Sequence, residues 1–203
     1  MARVEPLDRA GLPDLESTFA SVEHHLGLLP NSTLTMAHRP EIMRRFAALN
    51  EAVMGPGEVS QQLKQMVAAV VSASAGCRYC QAHTSHVATM RGVDVAKVEA
   101  VWVFASDPRF TAAEKAALTV AQGAGLTPNL VTDDSMDELR KEFSDGQIVE
   151  IVAVISLFGF LNRWNDTMAT ELEASPLRFA QEHLAPGGWT VGAHGPTTVV
   201  PGT

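Results

Sequence analysis

Cys77 and Cys80 are the only two cysteines in this 203-residue chain, and they stand in the spacing Cys-x-x-Cys. The N-terminal stretch MARVEPLDRAGLPDLE has acidic residues where a secretory signal would need an apolar run. In such a chain the pair points to redox or metal chemistry rather than to a structural staple. Gly76 permits a sharp break, so Cys77 is expected at a helix N-terminus, where the dipole and unpaired N–H groups favour the thiolate. At about 100° per residue, Cys80 lies about 60° from Cys77 on the same face, one turn along. Sulfurs so placed can close a disulfide with little backbone movement. These residues read as a redox-active dithiol. His83 and His86 continue the same three-residue step, and His83 neighbours Cys80 closely enough to exchange a proton with it. Four groups stepping about −60° each span about 180° of one helix, so they cannot converge on a tetrahedral zinc, and no metal is expected.

The elements that must position these side chains read as helices throughout. Apolar residues recur at helical spacing over 15–29, ended by Pro30-Asn31, and Pro40 opens a helix over 41–53. Ser60 has the position of an N-cap for an apolar helix over 61–75, and the dithiol segment 77–91 follows, with Gly92 as its C-cap. Asp94 caps a short helix to about 104, and Thr111 with Glu114 forms a capping box for another to about 124. Further helices are expected over 133–143, 147–172 (with Asp145 as cap) and 176–183. From 185 the Gly/Pro-rich tail APGGWTVGAHGPTTVVPGT has no periodicity and is expected to be disordered. The organisation expected is one helical domain over 1–184 and a tail over 185–203. No segment alternates as a strand would, and the fold class is all-α.

Composition bounds the partners. Hydrophobic residues make up 46% of the chain, enough to build a core without disulfides. Fifteen Lys and Arg against 23 Asp and Glu give a net charge of −8 with no basic cluster, which argues against a nucleic-acid groove. The longest apolar run, 151–161, is too short to span a bilayer and reads as a buried helix. A cytoplasmic protein without membrane contacts is expected. Long apolar helices rich in Ala and Met are expected to bury a face against copies of the same chain. His24, His25, His38 and His194 have no partner in the sequence and default to structural or exposed positions.

The chain also matches itself. An offset of 85 aligns Met66-Val67-Ala68-Ala69-Val70 with Ile151-Val152-Ala153-Val154-Ile155, and Gly76-Cys77-Arg78-Tyr79-Cys80 with Leu161-Asn162-Arg163-Trp164-Asn165. Two pseudo-repeated helical halves are therefore expected, the second having exchanged both thiols for Asn162 and Asn165.

The segment LKQMVAAVVSASAGCRYCQAHTSHVA resembles the core of the AhpD-like alkylhydroperoxidases of the carboxymuconolactone decarboxylase family, and DGQIVEIVAVISLFGFLNRWND is similar to the partner helix of its two-repeat members. With LLPNSTLTMAHRPEIMRRF, the resemblance covers about residues 20–175. It implies an AhpD-like all-α fold, a homo-oligomer, and thiol-based reduction of a small hydroperoxide without metal, haem or other cofactor. An external dithiol or a thiol protein would regenerate the pair.

Two positions depart from that family. Its catalytic His falls four residues after the second cysteine, where this chain has Thr84, and its relay Glu falls twelve before the first, where this chain has Gln65. Position 84 faces both sulfurs, whereas His83 lies about 100° further round. Glu150 occupies the repeat position of Gln65 and is expected to supply the missing carboxylate, or else to pair with Arg163 or Arg78. Position in the helix favours Cys77 as nucleophile, while the resemblance favours Cys80 with Cys77 resolving. The catalytic set expected is Cys77, Cys80, His83 and Glu150, with Tyr79 and Thr84 lining the substrate pocket. A decarboxylase-like lyase using Arg78 or Arg163 as anion partner, and a redox-sensing oligomer that oxidises once without turnover, remain open.

Overall fold

Helix caps set most element boundaries in the computed structural model, which describes residues 2–196. α1 (Glu16–Leu26) ends at Gly27, whose φ of 76° is open to a residue without a Cβ. α2 (Asn31–Met36) restarts the chain after Pro30, so the stretch 15–29 is not one helix running to Pro30 but a shorter one closed by this glycine. α3 (Pro40–Met54) carries its proline at the first position, where no N–H is needed. Ser60 caps α4 (Gln61–Ser74), its hydroxyl accepting the Leu63 N–H at 3.2 Å. Cys77 itself caps α5 (Arg78–Met90), with Sγ accepting the Cys80 N–H at 3.4 Å. α6 (Val95–Glu99) is only five residues long and gives way to a 3₁₀ turn at Val101–Val103, within the single helix expected there. α7 (Ala112–Ala124) starts with the Thr111–Glu114 capping box, and α8 (Asp133–Glu142) follows. α9 (Asp145–Met168) is capped by Ser144 rather than Asp145 and stops at Ala169, short of 172. α10 (Ala174–Phe179) runs on into a π-helical turn, Ala180–Leu184. No strand occurs among the described residues.

α4 lies at the centre, buried from Leu63 to Ser72 and packed against α5, α7 and α9. Val67, Leu118, Ile151 and Val154 are essentially inaccessible in this core, each contributing about 1.5–3 kcal/mol by leaving water. Leu15, Phe19, Met36 and Met43 form a second cluster beneath the N-terminal helices. α9 is long and apolar enough to cross a bilayer by length and composition alone. Its Ile151, Val154, Leu157 and Phe158 pack into the core beside α4, while Val152 and Phe160 of the same run are exposed, so the 151–161 run is buried on one face only and not throughout.

The C-terminal segment corrects the expectation of a disordered tail from 185. Residues 185–187 and 192–194 form 3₁₀ turns, Trp189 is buried and donates from Nε1 to the Arg78 carbonyl at 3.2 Å, and His194 is buried. Large apolar and ring side chains anchor this stretch despite its glycines. Residues 197–203 of the expected tail lie outside the described residues.

Candidate active site

The break at Gly76 (φ 80°) lets the chain leave α4 and begin α5 with the dithiol in its first turn, beneath α9. Both cysteines are unbonded and buried, and they face different surroundings. Cys80 lines a cavity of about 450 Å³, and Cys77 does not. The same cavity is lined by Tyr79, His83 and Thr84 of α5, Gln65 of α4, and Phe158 and Asn165 of α9, with Met43 and Phe46 of α3 adding apolar wall.

Asn165 Nδ2 donates to Cys80 Sγ at 3.3 Å. These two residues are related by the 85-residue offset, so equivalent positions of the two halves meet at the sulfur. The Oδ1 of the same amide is buried and makes no hydrogen bond within the protein. Cys77 is held as a thiol: its contact with Cys80 and its burial push its pKa far above the ordinary range, outweighing the Cys80 N–H that it accepts.

His83 has a carboxylate partner that the sequence did not reveal. Its Nε2 donates to Glu173 Oε2 at 2.5 Å, and Glu173 also accepts from Tyr79 Oη at 2.8 Å and from the Asn31 N–H at 2.5 Å. Burial pushes the Glu173 carboxyl up, but the His83 charge and hydrogen bond, with the Asn31 N–H, hold it below the ordinary carboxylate value. Burial and the Glu173 charge push the Tyr79 phenol well up, so it stays protonated and donates. The Tyr79 and His83 rings stack at 4.4 Å between centroids, fixing the imidazole with Nδ1 left for proton exchange.

Glu150 does not join this group. It lies near the N-terminal end of α9, fifteen residues before Asn165, which is about 22 Å along a helix rising 1.5 Å per residue. Its carboxylate accepts the Glu58 and Val59 N–H groups at 2.8 and 3.2 Å and pairs with the buried Lys64 ammonium at 3.0 Å. The expected relay role, and the alternative pairing with Arg163 or Arg78, both give way to this one. Thr84 lines the cavity, and its hydroxyl donates to the Cys80 and Gln81 carbonyls and replaces no histidine. His86 sits apart, with Nε2 against Ser175 Oγ at 2.8 Å and its pKa lowered by burial and then by the charge of His83.

Behind the dithiol, Cys77 Sγ and ring and carboxylate atoms of His194 and Asp166 lie within 4.8 Å of one another. His194 was expected to be structural or exposed. Its two nitrogens are engaged by the Thr170 carbonyl (2.8 Å) and by Asp166 Oδ1 (3.2 Å), and Cys77 Sγ by the Cys80 N–H. Hydrogen bonds thus account for this group, and no metal is assigned to it.

The model of the carboxymuconolactone decarboxylase family matches residues 40–123, which hold α3, α4 and the dithiol helix. No protein of curated function matches the sequence significantly. Among solved structures, the debrominase Bmp8 without ligand is 37% identical, with 88% of this chain and 96% of that one covered and a TM-score of 0.84. A cysteine-to-alanine form of the same debrominase, in complex with 2,3,4-tribromopyrrole, is 36% identical with the same coverage and TM-score. An uncharacterized peroxidase-related protein from Ralstonia eutropha JMP134, described as an alkylhydroperoxidase AhpD core, is 25% identical, covering 88% of this chain and 95% of that one, with a TM-score of 0.77.

Proposed function

The chain belongs to the carboxymuconolactone decarboxylase family, with the AhpD-like all-α fold, and from that premise we propose a dithiol oxidoreductase that removes a halogen from a small aromatic ring. The observation that carries this reading is the cavity: Cys80 lines a mostly apolar space of about 450 Å³, and Asn165 Oδ1 beside it is a buried acceptor with no protein donor. A buried polar atom without a partner requires an explanation, and the N–H or O–H of a bound ring would satisfy it. Similarity to a debrominase at 36–37% identity supports the halogenated class.

In the reaction proposed, His83, oriented by Glu173 and Tyr79, gives a proton to the halogen-bearing ring carbon. The Cys80 thiolate attacks the halogen; the C–X electron pair returns to the ring, which leaves with C–H in place of C–X, and Cys80 carries S–X. The Cys77 sulfur then displaces halide, losing its proton, and the Cys77–Cys80 disulfide forms. One halogenated ring and two thiols thus become one reduced ring, one disulfide, one halide ion and one released proton. An external dithiol or thiol protein, oxidised in turn, restores the pair.

Hydroperoxide reduction is the second reading, favoured by the peroxidase-related relative. Cys80 would take the terminal oxygen as sulfenic acid, and Cys77 would displace water. Gln65 and Thr84, standing where that family's proton relay is expected, weigh against it. Assembly is proposed as well: Ile42, Leu49 and Phe160 are 43–53% exposed on one α3–α9 face, an apolar surface suited to a second copy. Incubation with a dithiol and either a bromopyrrole or an organic hydroperoxide separates the chemical readings. Bromide release that is lost in Cys80→Ser supports dehalogenation; peroxide consumption without bromide release refutes it.

A further inference from the structure

We propose that His194 and Asp166 form the proton outlet of the resolving thiol, accepting the Cys77 proton as its sulfur attacks Cys80. The need is chemical. A thiolate, not a thiol, displaces a group from sulfur, and Cys77 is fully buried on the side of the dithiol away from the cavity. Burial and its contact with Cys80 also oppose its ionisation. No solvent reaches it directly, so its proton must pass to a neighbouring group.

The neighbours are arranged for that transfer. Cys77 Sγ and the reactive atoms of His194 and Asp166 are mutually within 4.8 Å. Carbonyl and carboxylate oxygens only accept, so the contacts with Thr170 (2.8 Å) and Asp166 Oδ1 (3.2 Å) engage both His194 nitrogens as donors and leave the ring no free lone pair. The Asp166 carboxylate takes the proton from Cys77, and the His194 N–H that it accepts holds it in place for the transfer. Asp166 is 42% exposed while His194 is 4% exposed, so the carboxylate joins the buried thiol to solvent and the ring anchors it from within. The two sulfurs are served by consecutive residues at the end of α9: Asn165 on Cys80, Asp166 toward Cys77. The C-terminal segment holds the ring in place through Leu172 N–H to the His194 carbonyl at 2.9 Å and through the neighbouring Tyr79 ring. No thiol changes oxidation state in this step except in the S–S bond already described; one proton moves from sulfur to the carboxylate oxygen and out.

This inference rests on Cys80 reacting first and Cys77 resolving, but not on the identity of the substrate. The test therefore uses 4,4′-dithiodipyridine on the reduced full chain. Cys80 displaces one thiopyridone to give a mixed disulfide, and Cys77 displaces the second as the internal disulfide closes. In Asp166→Asn and His194→Gln the first release should proceed within about twofold of the parent rate, and the second should slow by about 100-fold, the usual scale of a lost proton acceptor. A second release as fast as the parent's, or both releases slowed alike, overturns the proposal, the latter because it reports only a disturbed fold. Failure of the underlying order appears separately: Cys77→Ser would then give no first release.

Discussion

Replacing Glu150 by Gln tests whether this carboxylate is structural, as its surroundings indicate, or a relay, as its place in the pseudo-repeat implied. It accepts two backbone N–H groups at 2.8 and 3.2 Å and holds the Lys64 ammonium, which is 1% exposed, at 3.0 Å. Gln keeps one acceptor oxygen but loses the charge and turns an NH₂ toward a donor. Hydrogen bonds to a charged group are worth about 1.5–3 kcal/mol, and leaving a buried ammonium with only the Val53 and Gly55 carbonyls adds to that. Because the Glu150 side chain is itself 26% exposed, about 3 kcal/mol is the expected total. For a chain of this length that is a fall of about 6–12 °C in Tm. The Glu58 N–H, with smaller help from Lys64 and the Val59 N–H, outweighs burial and holds the Glu150 carboxyl below its ordinary value. Its contribution is therefore complete above the unfolded value of about 4.3 and fades as pH falls through the lower folded one. Urea titrations of parent and variant should differ at pH 7 and converge toward pH 3, with thiopyridone release from the dithiol unchanged throughout. A variant of parental stability whose thiols react more slowly would refute the reasoning and reinstate the relay.

Other substitutions probe the remaining contacts. Glu173→Gln removes the charge that orients His83 and should lower kcat by about 100-fold with both thiols still titratable, which steady-state rates beside thiol counts would check. Trp189→Ala empties a buried position and frees the Arg78 carbonyl, so it should cost about 3 kcal/mol in urea unfolding; no loss would return the C-terminal segment to disorder. Leu49→Lys together with Phe160→Lys should shift a native mass measurement toward the monomer, and an unchanged mass would remove α3–α9 as the interface.

Local physics made much of the fold legible. Ser60, Thr111 and Asp94 stand immediately before helical segments with short polar side chains, and each accepts the N–H its position demands. The dithiol was legible because Gly76 and the i, i+3 spacing act within one turn. Glu173 was not: it reaches His83 across 90 positions, in a short loop with no periodicity to place it. His194 lay hidden in a Gly/Pro-rich stretch, where composition carries less weight than the single indole of Trp189 that anchors it. Glu150 signalled correctly that a carboxylate in an apolar run needs a partner. The matching signal was Lys64, a lone cation inside the apolar sequence QQLKQMVAAVV, and no spacing rule links two helices 86 residues apart.

Single-turnover stoichiometry tests the central claim most directly. Fully reduced protein, freed of external thiol and mixed anaerobically with a brominated pyrrole, should yield one bromide, one debrominated ring and one Cys77–Cys80 disulfide per chain, with Cys80→Ser yielding none of the three. Bromide release from Cys80→Ser at the parent rate, or unreacted substrate beside two intact thiols, would contradict it.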